Sequence, residues 1–339
     1  MLISARPPVN VSFPTLPPSI SAAMEQFDRS YLQSIESAAP TVARALAHLG
    51  KGKGKRLRPL IVFLVARAFG VKEEDDAWED VIGGAIAIEL LHLASLIHDD
   101  VIDESRMRRG ELSLYALLGP HKAVLFGDYI LSHAFTRALL IGSQVLALTL
   151  SELGMQLSEG ELLQEDMSEL SVTTEEQYLE IISRKTASLI KASFRIGLET
   201  AGVKDGAVIR SVSDAAERIG LAFQIKDDIF DYAPTADLGK PSGNDLREHK
   251  VTLPLIFALG SGAAESSKAA KLLKKKELSG DEIRFLVQFA RKNGGIEYAT
   301  AKMNALVTEA KALLQESIPG GEELETLMEL CDYIVYRDR

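Results

Sequence analysis

The chain has 339 residues, of which 46% are apolar, 25% charged and 6% aromatic, with 38 Lys and Arg against 48 Asp and Glu for a net charge of −10. That composition suits one large folded core and excludes disorder and collagen-like repeats, while the negative balance excludes general nucleic-acid binding, which needs a concentrated basic face. The single cysteine, Cys331, excludes an internal disulfide and any CxxC metal site, and a cytoplasmic location is expected.

Pro7, Pro8, Pro14, Pro17 and Pro18 all fall in the first 20 residues, which predicts a proline-rich arm over 1–20, outside the fold. The arm lacks the basic start and unbroken apolar run of a secretory signal. From Ser21 onward apolar residues recur at three- and four-residue spacing, and no proline interrupts 121–233. The remainder, 21–339, therefore reads as one all-α domain, a single large helical bundle. Helices are expected near 21–37, 40–49, 58–69, 77–103, 120–146, 150–169, 174–200, 206–233, 251–260, 279–292, 294–315 and 321–335. Segments 81–97 and 215–225 are apolar on most faces and should be central. Beyond the arm, the longest uncharged stretches, Ala138–Ser151 and Val251–Ala264, have 14 residues each. That is short of the roughly 20 that span a bilayer, so no stable membrane insertion is expected.

The first chemical motif is Lys51-Gly-Lys-Gly-Lys-Arg-Leu-Arg-Pro59, which sets Lys55, Arg56 and Arg58 where a helix presents its free N–H groups, an arrangement that attracts an anion. It is not a P-loop, because the GxxxxGK[ST] spacing and a preceding strand are missing. Next comes Leu96-Ile-His-Asp-Asp-Val-Ile-Asp103, and 128 positions later Gln224-Ile-Lys-Asp-Asp-Ile-Phe-Asp231. Each is a DDxxD pattern ending a long apolar helix. Asp99 and Asp103, like Asp227 and Asp231, are i,i+4 neighbours that project side by side. One such motif is as readily a solvated helix end; two, both attached to apolar helices, call for a neutralising cation. Magnesium suits oxygen ligands that leave positions open for water or phosphate. Arg106-Met-Arg-Arg109 follows the first acidic motif at once, and guanidinium forks beside metal ligands make a diphosphate clamp.

Taken together, GKRLRP at 54–59, ELLHLASLIHDDVIDESRMRRG at 89–110, GDYIL at 127–131, RKTASL at 184–189, FQIKDDIFDY at 223–232 and GKPSGNDLREHKVTLPLI at 239–256 resemble the trans-isoprenyl (polyprenyl) diphosphate synthases. The resemblance implies an isoprenoid synthase-like bundle with a central cavity, usually a homodimer. It also implies magnesium-dependent, head-to-tail condensation of isopentenyl diphosphate onto an allylic diphosphate. Carried over residue by residue, Asp99 and Asp103 resemble ligands of the metal ions on the allylic diphosphate, with Asp100 in support, and Asp227, Asp228 and Asp231 resemble the second metal side. Arg108, Lys185, Thr186, Gln224, Lys240 and Lys250 resemble the allylic contacts; Lys55, Arg58, His92 and Arg109 resemble the isopentenyl diphosphate site. The glycine usual before the last lysine is His249 here, a departure in local loop geometry.

The implied chemistry is ionisation of the allylic C–O bond, with metal and basic groups stabilising the departing diphosphate and Thr186 and Gln224 offering neutral oxygens to the carbocation. Product length should depend on residues one and two turns before Asp99, namely Ser95, Ala94 and Leu91, with Ala87, Gly84 and Gly83 deeper. All are small or aliphatic, which favours a long product, C30 or beyond, over C15 or C20; for the deeper Ala87, Gly84 and Gly83, close helix packing explains the small residues equally well. The rival readings are a short-chain synthase, a terpene cyclase, which commonly has an NDxxSxxxE-like second motif and no use for GKRLRP, and a non-catalytic subunit of a heteromeric synthase, which can lack the aspartates kept here.

Overall fold

A computed structural model describes residues 11–50, 54–108, 110–170, 174–233 and 243–337, with the backbone alone at 169 and 170. The fold is all-α, as the periodicity predicts, save for one two-residue hairpin, β1 (Met107–Arg108) paired antiparallel with β2 (Glu111–Leu112). The helices in chain order are α1 (Pro18–Gln33), α2 (Pro40–Leu49), α3 (Leu57–Ala68), α4 (Ala77–Ile102), α5 (Leu114–Leu118), α6 (Pro120–Ile141) and α7 (Gln144–Leu170). They continue with α8 (Glu175–Ile182), a π-helical turn (Ser183–Ala187), α9 (Ser188–Thr200), α10 (Gly206–Asp231) and α11 (Asn244–Arg247). The last are α12 (Leu253–Gly260), α13 (Ser266–Leu273), α14 (Gly280–Lys292), α15 (Gly295–Ser317) and α16 (Glu322–Tyr336).

α4 is apolar around its whole circumference and sits at the centre, packed by α3, α6 and α9, with residues 81–92 buried without a break. α10 packs on α9 and α15, and no residue between 215 and 230 is exposed. One large core joins these helices; a satellite core of Tyr232, Leu246, Leu255, Leu286 and Phe289 forms under α11–α14.

Three differences from the sequence reading have clear causes. The first helix starts at Pro18, because proline is tolerated at a first helical turn, and Val11, Phe13 and Leu16 pack on the core, the Phe13 ring lying edge-on 5.2 Å from Tyr333. The described part of the arm is thus attached to the fold. The break expected after residue 146 falls at Gly142, whose φ of 75° ends α6 with a glycine in the left-handed region. The expected helix 174–200 is interrupted by the π-helical turn.

Among the described residues two helices are long and apolar enough to cross a membrane, α4 and α6; isolated charges such as Glu89 and Asp128 break their uncharged runs. α4 is filled in by the core, whereas α6 is mostly unburied, with Leu125, Leu139 and Leu140 exposed, and the apolar face continues on α7 through Leu148, Met155 and Leu162.

Candidate active site

α4 and α10 each run about seven turns from an apolar body to an acidic C-terminal end. Carboxylates there oppose the helix dipole, so their placement is electrostatically costly without cations. Burial pushes the Asp99 carboxyl up to about 6, with Glu161 adding repulsion and Lys185 opposing it. Asp103 shifts upward for the same leading reason, and Lys250 stands 3.9 Å from its Oδ1. Lys185 donates to Gln164 Oε1 at 3.0 Å and pairs with Glu161 at 2.5 Å.

Lys185 and Lys250 also line a cavity of about 220 Å³ with Thr186, Gln224, Asp228 and Asp245. The two lysines thus lie between the first acidic helix end, where Lys250 stands by Asp103 and Lys185 acts electrostatically on Asp99, and a cavity that Asp228 of the second motif also lines. In its wall the Thr186 hydroxyl donates to Gln224 Oε1 (2.7 Å), Gln224 Nε2 donates to Asp228 Oδ1 (2.8 Å), and the Tyr178 hydroxyl donates to Asp228 Oδ2 (2.6 Å).

The π-helical turn presents Lys185 and Thr186, and two glycines let it do so. A Cβ on Gly220 of α10 would lie 2.4 Å from Ala187 Cα, and one on Gly160 of α7 would lie 2.8 Å from Lys185 Cγ. Helices with side chains at those positions would stand too far off for Thr186 to reach Gln224 or Lys185 to reach Glu161.

The other expected site residues divide. Asp227 is paired with Arg337 at the end of α16 (2.7 Å), whose guanidinium also stacks on Phe223. Asp231 accepts from the backbone N–H of Asn244 and Asp245 and so caps α11. Arg108 is turned onto Asp100, its Nε within 2.8 and 2.9 Å of both oxygens. His92 is buried and shares a second cavity, of about 140 Å³, with Glu89, Asp100 and Arg108. Lys55 bonds the Tyr333 hydroxyl, and Arg58 is half-buried on α3. Arg109 and Lys240 lie outside the described residues.

Between Lys55 and Arg58, Arg56 adopts a left-handed φ of 49°, a strained conformation held by Glu89 at 2.8 Å and by the Tyr31 ring. Sequence reading missed Glu161, Gln164, Tyr178 and Asp245. Only Asp245, within the GNDLREHK segment, carried a signal; its carboxyl is pushed up to about 8 by burial and by Asp228 and Asp231.

His249 has a φ of 57°, and its Nε2 bonds the Lys276 carbonyl at 2.8 Å. The left-handed backbone explains why a glycine fits this position, and the ring bond offsets the strain. His249→Ala, which loses the bond and keeps the strain, should lower unfolding stability by about 1 kcal/mol in urea titrations, and His249→Gly by less.

Among the described residues no three carboxylate, imidazole or thiol groups gather closely enough to hold a metal alone. The donor set nonetheless fits a hard divalent ion shared with a diphosphate, since such an ion takes one or two carboxylates and completes its shell with phosphate and water. Lys250 and Arg337 pair with Asp103 and Asp227, and Lys185 opposes the upward shift of Asp99, marking where positive charge is favoured.

Fold and site together define a helical enzyme of prenyl transfer. The Polyprenyl synthetase family profile matches residues 39–290, and the chain belongs to that family. It is 35% identical over 323 residues to the short chain isoprenyl diphosphate synthase of Methanothermobacter thermautotrophicus, covering 93% of this chain and 96% of that one. The decaprenyl diphosphate synthase of Rhodobacter capsulatus superposes with a TM-score of 0.87 at 29% identity, over 94% of this chain and 97% of that one. The polyprenyl synthase of Caulobacter crescentus, crystallised with calcium and isoprenyl diphosphate, gives a TM-score of 0.84 at 31% identity, over 94% and 96%. The protein is a polyprenyl diphosphate synthase, a trans-prenyltransferase of isoprenoid biosynthesis.

Proposed function

We propose that the enzyme condenses isopentenyl diphosphate head-to-tail with an allylic diphosphate, uses magnesium, and makes an all-trans product of C30 or longer. The observation that carries this is the link made by Lys185 and Lys250 between Asp99 and Asp103 on one side and the Gln224–Asp228 wall on the other. Asp99, Asp103 and Asp227 hold the metal, which when bound supplies Lewis-acid stabilisation of the leaving diphosphate. Asp228, with both oxygens engaged by protein donors, and Asp231, capping α11, serve to anchor rather than ligate.

Lys185 and Lys250 neutralise diphosphate charge as the C–O bond breaks. Thr186 and Gln224 turn oxygens to the allylic carbon without forming a bond to it. Lys55, Arg58, His92 and Arg109 orient the second substrate so that its double bond meets the cation, a proximity effect. No side chain serves as base; the proton goes to the released diphosphate. Lys240 joins the allylic contacts.

A homodimer covers the exposed apolar face of α6 and α7, and the cytoplasm is the working compartment. A short-chain product is the second reading, favoured by the archaeal relative's name. Purified protein should release diphosphate in magnesium only when isopentenyl and allylic diphosphates are both present, and chromatography of labelled product should give the chain length. Release from the allylic substrate alone would overturn the condensation reading in favour of a cyclase.

A further inference from the structure

Asp228 is 5% exposed and Tyr178 4%, and both line the 220 Å³ cavity. As a carboxylate, Asp228 only accepts, so the Gln224 side chain must turn its NH₂ toward it and its carbonyl toward Thr186. The Thr186 hydroxyl then spends its hydrogen on Gln224 and keeps lone pairs for the cavity. A flipped amide would donate to Thr186 and send the hydroxyl hydrogen toward the reacting carbon, reversing the local dipole where positive charge develops. With one oxygen on Gln224 and the other on Tyr178, the carboxylate is unable to rotate.

We propose that Tyr178 is a positioning residue for the reaction: its hydroxyl immobilises Asp228, which locks the Gln224 amide and through it the Thr186 hydroxyl with lone pairs facing the allylic carbon. This rests on the reading of the 220 Å³ cavity as the place of ionisation. With its hydrogen given to Asp228, the phenol is assigned no metal or diphosphate contact, so its effect is expected in the transition state.

Tyr178→Phe should lower kcat roughly tenfold to a hundredfold, the worth of one hydrogen bond to a charged group, and leave KM for both substrates within about twofold. Calorimetry with a non-ionising allylic thiolodiphosphate should give an unchanged Kd. In a Thr186→Ala background the same change should have almost no further effect, because both act through one hydroxyl. A kcat within about twofold of the parent, losses that multiply across the double mutant, or a weakened thiolodiphosphate Kd would each overturn the proposal.

Should Tyr178→Phe fail to fold by circular dichroism, Gln224→Glu and Gln224→Met provide the reading. Glutamate has the right shape but no donor for Asp228, so it should be as slow as methionine; a faster glutamate variant refutes the lock. Inactivity of the parent with both substrates would instead defeat the functional reading itself.

Discussion

Asp99→Asn is expected to slow condensation by about three orders of magnitude, the largest effect of any single carboxylate in the protein. Asp99 is the most strongly perturbed member of the first acidic motif, raised to about 6 by burial first and by Glu161 second. A buried negative charge of that kind is poised for a cation, and the amide removes the charge while keeping size and helix register. The lost stabilisation is felt most as the diphosphate departs, so kcat should fall further than KM rises. Initial rates of diphosphate release across a magnesium titration check this; a variant that recovers parental rates at high magnesium would show that Asp99 sets metal affinity alone.

The second large effect concerns what is made rather than how fast. If the product is C30 or longer as proposed, Ala94→Phe should shorten it to near C15 or C20, read by chromatography of labelled product. Ala94 is 1% exposed and lies five residues before Asp99, about 7.5 Å along the helix axis, where the proposed chain-length role places the growing product. The added ring should also cost about 1–3 kcal/mol of stability through overpacking, so melting is to be measured beside the product. An unchanged product in a folded variant would remove the chain-length role from α4.

The deeper glycines differ. A Cβ on Gly84 would lie 2.6 Å from Ile196 Cγ2, and one on Gly83 3.1 Å from Ile141 Cδ1. Close packing against neighbouring helices, and not a hollow, accounts for the small residues there.

The acidic helix ends and the basic GKRLRP turn were legible because each concentrates unusual charge within eight or nine residues of a strongly periodic helix. The π-helical turn was not, because Ser183–Ala187 has nothing in its composition to distinguish it from an α-helix; its cause lies in Gly160 and Gly220, each far from it along the chain and meaningful only in contact. Tyr178, Glu161 and Gln164 escaped for the same reason: isolated polar residues on amphipathic helices read as surface until a partner on another helix is known. Motif position suggested metal and substrate roles for Asp231 and Arg108 but carried no sign of the contacts they make without ligand. α11 needed an N-cap and the hairpin presented an aspartate-paired arginine, and both demands are tertiary.

The end of α16 reaches two charges of opposite sign among the proposed site residues, Asp227 through Arg337 and Lys55 through Tyr333. Each therefore already has a partner on the helix end, a phenol for the exposed Lys55 and a guanidinium for Asp227. Only a ligand bringing several charges at once, such as a diphosphate already carrying its divalent partner, gains enough to unseat the helix end. On the proposed assignment, binding at either charge means displacing the end of the C-terminal helix, which couples that helix to substrate entry.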